Sequence, residues 1–149
     1  MNPHYKVKSF IAAGLGAIAV AFAGCAGTHV YEKTTVQVSL TGGEQVPPVN
    51  TMARGRGSFT VAPDGSVSGS VTVGGGLAAT AAHIHQAPRG KNGPVLIGLT
   101  KSSDAVWVVP EGAKFTENQY KAFLVGETYV NFHTAANKGG EIRGQVMKK

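Results

Sequence analysis

The chain has 149 residues, of which 14 are lysine or arginine and 8 are aspartate or glutamate, for a formal net charge of +6. The basic residues are scattered rather than gathered into a stripe, so the charge pattern disfavours nucleic acid as a partner. A single cysteine, Cys25, excludes an internal disulfide.

The first 24 residues have the order of a secretory signal. Lys6 and Lys8 precede an uncharged apolar run over 9–23, and Gly24 follows the run. The run has about 15 residues, whereas a membrane-spanning helix needs about 20, which favours an export signal over a permanent span. We therefore expect an exported mature chain of one domain, with 12 basic and 8 acidic residues.

Cys25 is predicted to be a site of lipid attachment. The segment 22–25 resembles the bacterial lipobox, in which the cysteine is acylated and becomes the first mature residue, with Phe22 here in the place of the usual leucine. Acylation would also remove the oxidation liability of a free thiol in an exported protein. Residues 25–33 are expected to form a tether. Ala26, rather than the aspartate that retains lipoproteins at the inner membrane, favours the periplasmic face of the outer membrane.

From residue 34 to residue 149, alternating apolar and polar residues predict one all-β domain. β-Branched residues are frequent in these segments, as is typical of half-buried strands. The turn sequence over 62–65 predicts a hairpin. Short strands with Gly- and Pro-containing turns favour a sandwich or barrel. The predicted strands cover residues 34–40, 57–61, 66–73, 81–86, 94–99, 105–109, 128–133 and 141–147.

One short helix is expected to interrupt the strands. Thr116 and Gln119 have the spacing of a capping box, and apolar residues follow at helical spacing. Gly126 can end the turn. The helix is therefore predicted over 116–125.

Three histidines form the most chemically suggestive pattern of the domain. Alternate residues of a strand share a face, so His83 and His85 point to the same side, with Cα atoms about 6.5 to 7 Å apart. His133 lies on the polar face of the later strand 128–133. If the two strands are neighbours, three neutral imidazoles meet in a donor set that suits copper first and zinc second. The alternative is a polar strand face hydrogen-bonded to loop backbone.

Three ordered blocks of the sequence resemble the CHRD (chordin-type) domain family, which in bacteria occurs as exported or lipid-anchored single domains. The resemblance covers roughly residues 34–147. The His-x-His block is also similar to the copper-ligand strand of Cu/Zn superoxide dismutases. That likeness implies a Greek-key-like antiparallel β-sandwich and matches His83, His85 and His133 to copper ligands. The CHRD blocks are 40–49, 82–88 with 92–95, and 129–137 with 139–144.

The chain departs from the dismutases in features that their activity needs. Beyond the three named histidines, the mature part has only His29, so the zinc ligands and the bridging imidazole are missing, as is the dismutase cysteine pair. Dismutase activity is therefore disfavoured, whereas a mononuclear copper site is not. For a fourth ligand, the sequence leaves open water, Glu44, Met52 and Met147.

Three charged residues are candidates for contacting the metal-ligating histidines rather than the metal itself: Glu44, Glu141 and Arg143. Glu141 and Arg143 share one face of the last predicted strand. For this pair a structural salt bridge or a loop clamp is favoured over attraction of an anion. Glu44 precedes a loop with two prolines, which we expect to hold a fixed crossing.

These observations favour a cell-envelope lipoprotein that sequesters or handles copper, or zinc, through three histidines without substrate turnover. The competing interpretation is a metal-free module that binds another envelope protein or a glycan. A copper redox enzyme is the third. The sequence contains neither a Gly-x-Ser-x-Gly elbow nor a His-Glu-x-x-His motif, so it offers no support for a hydrolase.

Overall fold

The computed structural model describes residues 32–148, so the predicted export signal, Cys25 and most of the predicted tether lie outside the described residues. The elements in chain order are β1 Thr34–Thr41, a 3-10 helix Gly42–Glu44, β2 Arg54–Val61, β3 Val67–Gly74, β4 Ala79–Gln86, β5 Val95–Gly98, β6 Thr100–Lys101, β7 Val106–Val108, α1 Glu117–Leu124, β8 Thr128–Thr134 and β9 Ile142–Val146. Between residues 32 and 148, no helix combines the length and apolarity that crossing a membrane requires.

All nine strands belong to one antiparallel sheet, in the order β5-β4-β8-β9-β1-β2-β3-β7-β6. The end strands β5 and β6 are separated in sequence only by Leu99, so one chain segment runs along both ends of the sheet. The sheet therefore curls into a nearly closed barrel or sandwich. Neighbours such as β9 with β1, and β4 with β8, come from distant parts of the chain, which confirms the predicted all-β, Greek-key-like architecture.

The inward side chains of the curled sheet form one hydrophobic core. Along β1, Val36, Val38 and Leu40 are buried while the residues between them are exposed, as the alternation predicted. Trp107 of β7 meets Phe132 of β8 edge to face, with ring centroids 5.7 Å apart. This contact joins strands from the two halves of the sheet, so the core is continuous between them.

β2 begins at Arg54, three residues before the predicted start, because glycines take its inward positions. Gly55 and Gly57 are buried, whereas Arg54 and Arg56 are exposed. A Cβ at Gly57 would lie 2.8 Å from Val71 Cγ2, so the neighbouring strand already fills that space. The two-residue strand β6 was also not predicted, since it holds no apolar residue.

The predicted hairpin and helix are both confirmed. β2 and β3 pair along their whole length across the turn 62–65. Thr116 N donates to Gln119 Oε1 at 2.8 Å, and Gln119 N donates to Thr116 Oγ1 at 3.3 Å, which completes the capping box. The helix ends before Gly126, whose φ of +78° favours glycine.

Candidate metal centre

Two neighbouring strands carry the three histidines. β4 and β8 pair antiparallel, with His85 opposite Tyr129, His83 opposite Asn131, and His133 opposite Ala81. Residues paired in this way share a face of the sheet, so all three imidazoles lie on its outward side. The sequence-based condition that the two strands be neighbours is therefore met.

The three imidazoles converge on one place. One ring nitrogen from each of His83, His85 and His133 lies within 4.8 Å of the other two. His83 Nδ1 and His133 Nε2 are 3.0 Å apart. The ring of His83 lies 5.6 Å from the ring of His85, centroid to centroid. Three histidines close enough to hold a metal ion are thus present.

Backbone carbonyls select the tautomers of two of these histidines. His85 Nδ1 donates to the carbonyl oxygen of Gly93 at 3.0 Å, and His133 Nδ1 donates to that of Lys138 at 2.8 Å. A carbonyl oxygen only accepts, so each Nδ1 carries the proton and each Nε2 keeps its lone pair. It follows that His83 Nδ1 donates to His133 Nε2. A second bond that orients the ring in this way is typical of metal-ligating histidine.

The Nε2 atom of His85 is buried and makes no hydrogen bond of good geometry within residues 32–148, although the nearby side chain of Asn131 acts on this ring and partly raises its pKa. Its residue is 7% exposed. A buried lone pair without a partner costs about 1 to 3 kcal/mol. A metal ion bound between the three rings would satisfy it.

The electrostatics of the cluster keep it in the form that binds metal. Burial lowers the pKa of His83 and that of His85 below the ordinary value of 6.5, and His133 adds to this effect at both. The hydrogen bond to Gly93 opposes the shift at His85 in part. Both imidazoles are therefore neutral at pH 7, as coordination requires.

The geometry fits a three-histidine metal site after small side-chain rotations. Bonds of about 2.0 to 2.1 Å separate the ligand nitrogens of a tetrahedral site by about 3.4 Å. The present separations, from 3.0 Å to within 4.8 Å, bracket that value. Binding must also break the hydrogen bond between His83 and His133, because both rings turn a lone pair to the ion.

The ring of Tyr129 packs on His85, and the guanidinium of Arg143 packs on Tyr129 in turn. The ring of Tyr129 stacks on that of His85 with a centroid distance of 4.8 Å and an interplanar angle of 5°. The guanidinium carbon of Arg143, on β9, lies 3.5 Å from the centroid of the same tyrosine ring. Tyr129 Oη accepts a hydrogen bond from Gly93 N at 3.2 Å. The tyrosine thus supports both the histidine ring and the loop that orients it.

Arg143 is buried without an ion pair. It is 1% exposed, and its guanidinium donates to Asn92 Oδ1 and Gln145 Oε1, both at 3.3 Å. Within residues 32–148, no carboxylate lies within ion-pair distance of it. Burial lowers the pKa of Arg143, but the group remains protonated at neutral pH.

The two acidic candidates have other partners. Glu44 forms an ion pair with Arg89, whose Nη1 donates to both carboxylate oxygens, at 2.7 and 2.6 Å. Glu141 accepts hydrogen bonds from Thr51, Thr134 and Asn137 at 2.8, 2.7 and 3.2 Å. Of the two interpretations of Glu141, the structure shows the loop clamp and not a salt bridge to Arg143. Glu141 also ties the 134–137 loop, which follows the His133 strand, to the loop before β2.

Neither candidate methionine is placed as a ligand. The side chain of Met147 lies against Gly126, just before β8 begins, whereas His133 lies near the end of that strand. Met52 is 81% exposed, and its backbone lies against Gly75. No Asp, Glu or Cys between residues 32 and 148 joins the histidine cluster. Of the four candidates for a fourth ligand, water is the one that this arrangement leaves.

Sequence reasoning missed Tyr129 and Gly93 as parts of the site. Tyr129 lies two and four positions before Asn131 and His133, so the strand alternation already predicted that all three share one face of the sheet. Its stacking on His85 depends on the register of β4 against β8. The contact of Gly93 with His85 depends on a loop path that no sequence pattern specifies.

The family model for the CHRD domain matches residues 36–146, and the chain therefore belongs to the CHRD domain family. The match includes every strand of the sheet except the first two residues of β1. Searches of curated proteins and of solved structures found no match.

Proposed function

We propose that this protein is a cell-envelope lipoprotein that binds copper through His83, His85 and His133 and thereby sequesters or hands on the metal. The observation that carries the proposal is the convergence of His83, His85 and His133, each of which brings one ring nitrogen within 4.8 Å of the other two. Binding and release of an ion need no further reactive group, so the proposal involves no substrate turnover.

The donor set favours copper over zinc. All three ligands are neutral imidazoles, and no thiolate or carboxylate within residues 32–148 joins them. For such nitrogen sites the affinity of divalent first-row metals is highest for copper. Zinc is the second candidate, because it also accepts three histidines and a water molecule.

Membrane attachment is supported by the N-terminal sequence. An export signal over 1–24, a lipobox-like segment ending at Cys25, and Ala26 after it together favour acylation and the periplasmic face of the outer membrane. Cys25→Ala is expected to move the protein from the membrane fraction to the soluble fraction and to abolish incorporation of labelled fatty acid. A Cys25→Ala protein that is still labelled, or a native protein that is never labelled, would contradict attachment at this residue.

Metal binding is tested on the mature protein, from residue 25 to residue 149, by titration with Cu(II) and then Zn(II). We expect one copper ion per chain with a dissociation constant below about micromolar, which corresponds to about 8 kcal/mol. His83→Ala/His85→Ala/His133→Ala should abolish this binding, whereas His29→Ala, at the other histidine of the mature chain, should not. Tight binding retained in the triple variant would refute the site. A folded native chain that binds neither metal would instead support the interaction-module interpretation.

A further inference from the structure

We infer that the site is built for monovalent copper, Cu(I), and that the buried cation of Arg143 sets this preference. The inference rests on the proposed function, because it concerns the oxidation state of the ion held by the same three histidines. It follows from two features of the described residues: the charges around the site and the number of its ligands.

The charge of Arg143 lies close to the site and on a direct line of contact with it. Tyr129 is sandwiched between the guanidinium of Arg143 on one strand and the ring of His85 on another. The two spacings, 3.5 and 4.8 Å, place the guanidinium within about 8 Å of the His85 ring. Because Arg143 is 1% exposed, water screens its charge poorly.

Acidic groups near the site do not neutralise this charge. The carboxylate of Glu44 is paired with Arg89, so those two charges cancel. Glu141 keeps its negative charge, but its hydrogen bonds come from Thr51, Thr134 and Asn137, and it makes no ion pair with Arg143. The unpaired positive charge of Arg143 therefore disfavours Cu(II) more than Cu(I), because the two ions differ by one unit of charge.

The ligand set acts in the same direction. Cu(II) favours a tetragonal arrangement of nitrogen and oxygen ligands, and the three histidines supply only three nitrogens. No carboxylate or thiolate within the described residues is placed to add a fourth protein ligand or a negative charge. Three imidazoles beside an unpaired guanidinium thus hold singly charged Cu(I) with less electrostatic repulsion than doubly charged Cu(II).

The test measures the dissociation constants of Cu(I) and Cu(II) separately at pH 7. The Cu(I) constant is obtained anaerobically by competition with bathocuproine disulfonate, and the Cu(II) constant by competition with nitrilotriacetate. We expect native protein to bind Cu(I) more tightly. In Arg143→Gln, the ratio of the Cu(II) constant to the Cu(I) constant should fall about tenfold, since one unit charge at this distance is removed.

A second variant avoids truncating a buried side chain. Asn92 is exposed, and its Oδ1 accepts from Arg143. Asn92→Asp gives Arg143 a carboxylate partner of the same shape, and should shift the ratio in the same direction as Arg143→Gln. Arg56→Gln is the matched control, because it removes the same charge from an exposed side chain of β2 and should leave the ratio unchanged.

The outcomes separate the inference from the proposed function. If native protein binds neither ion, the proposed copper site is wrong. If it binds copper but favours Cu(II), the inference is wrong while the site stands. The inference also fails if Asn92→Asp folds and binds copper with the native ratio. A ratio that falls in Asn92→Asp and stays native in Arg56→Gln would support it.

Discussion

The two halves of the single sheet differ in how far their outward faces are exposed to solvent. In the open half, β1 to β3, the outward residues are polar or charged and mostly exposed, as at Gln37, Arg56 and Thr72. In the covered half, β4, β8 and β9, outward residues such as Asn131 and Arg143 are 3% and 1% exposed. The strand alternation is the same in both halves. The difference arises from the loops that lie over one half and not the other.

The covering loops turn a polar strand face into a site. The 87–94 loop receives hydrogen bonds from His85 and Gln145, and the loop after the 3-10 helix places Gln45 beside Gly140, which the side chain of Asn131 also approaches. Polar groups removed from water must find partners or remain at a cost. Three side-chain atoms of this face remain without a partner in the described residues, including His85 Nε2. A covered polar face is therefore where a ligand gains most from binding.

The largest expected effect comes from displacing a covering loop. A Cβ at Gly93 would overlap the carbonyl oxygen of Gln86. Gly93→Ala should shift the loop, release His85 Nδ1 from its acceptor, and lower copper affinity about 10- to 100-fold, the effect usual for groups that orient a ligand. Titration with copper measures this.

The open half supplies the control for that loop. Gly74, at the end of β3, has no atom within 4 Å of an added Cβ. Gly74→Ala is expected to bind copper like the native protein. Equal losses in both variants would mean that loop position does not govern the affinity.

Alanine substitution of two glutamines on neighbouring strands tests whether the covered half contributes more to stability than the open half. Gln145 Nε2 donates to the carbonyl oxygens of Ala87 and Gly126 at 2.9 and 2.8 Å. Gln145→Ala leaves both without this donor and should lower the free energy of unfolding by about 2 to 3 kcal/mol. Gln37 on β1 is exposed, and Gln37→Ala should cost less than about 0.5 kcal/mol. Urea unfolding of the metal-free proteins measures both, and similar losses would contradict the contrast.

The pH dependence of stability should arise from the covered half. Burial keeps the pKa of His83 and that of His85 below 6.5 in the folded chain, so below pH 6.5 the unfolded chain binds more protons. Metal-free protein should therefore lose stability as pH falls below 6.5, by up to about 1.4 kcal/mol per pH unit for His85. His83, which is more exposed, should contribute less.

A paired variant shows whether these histidines cause the loss. In His83→Gln/His85→Gln, the free energy of unfolding should change less between pH 7 and pH 5.5 than in the native chain. Urea unfolding at each pH supplies the comparison. A slope unaltered by the substitutions would assign the pH dependence to other groups.

The smallest effect is expected on the open face. Thr35 Oγ1 and Thr60 Oγ1 are 2.8 Å apart across β1 and β2, where water competes for the bond. Thr60→Ala should change the free energy of unfolding by no more than about 0.5 kcal/mol and leave copper affinity as in the native chain. A change in copper affinity here would show that the two faces are coupled.

Local patterns accounted for most of the strands, because alternation and turn residues act within a few positions of the chain. The hairpin at 62–65 and the capping box of Thr116 both form as predicted. The early start of β2 escaped the pattern, since Gly55 and Gly57 occupy inward positions that neighbouring side chains fill. The shared face of His83 and His85 was also predictable, since strand parity is a local property.

The sequence by itself determined the strands, the hairpin, the helix and the outward direction of each histidine, because these depend on neighbouring residues. Only the tertiary structure decided that β4 lies beside β8 and that loops cover their outward face. It also decided that Arg143 is buried on Tyr129 rather than paired with Glu141. These features depend on which distant segments share one core, and side-chain alternation is equally compatible with an open or a covered face.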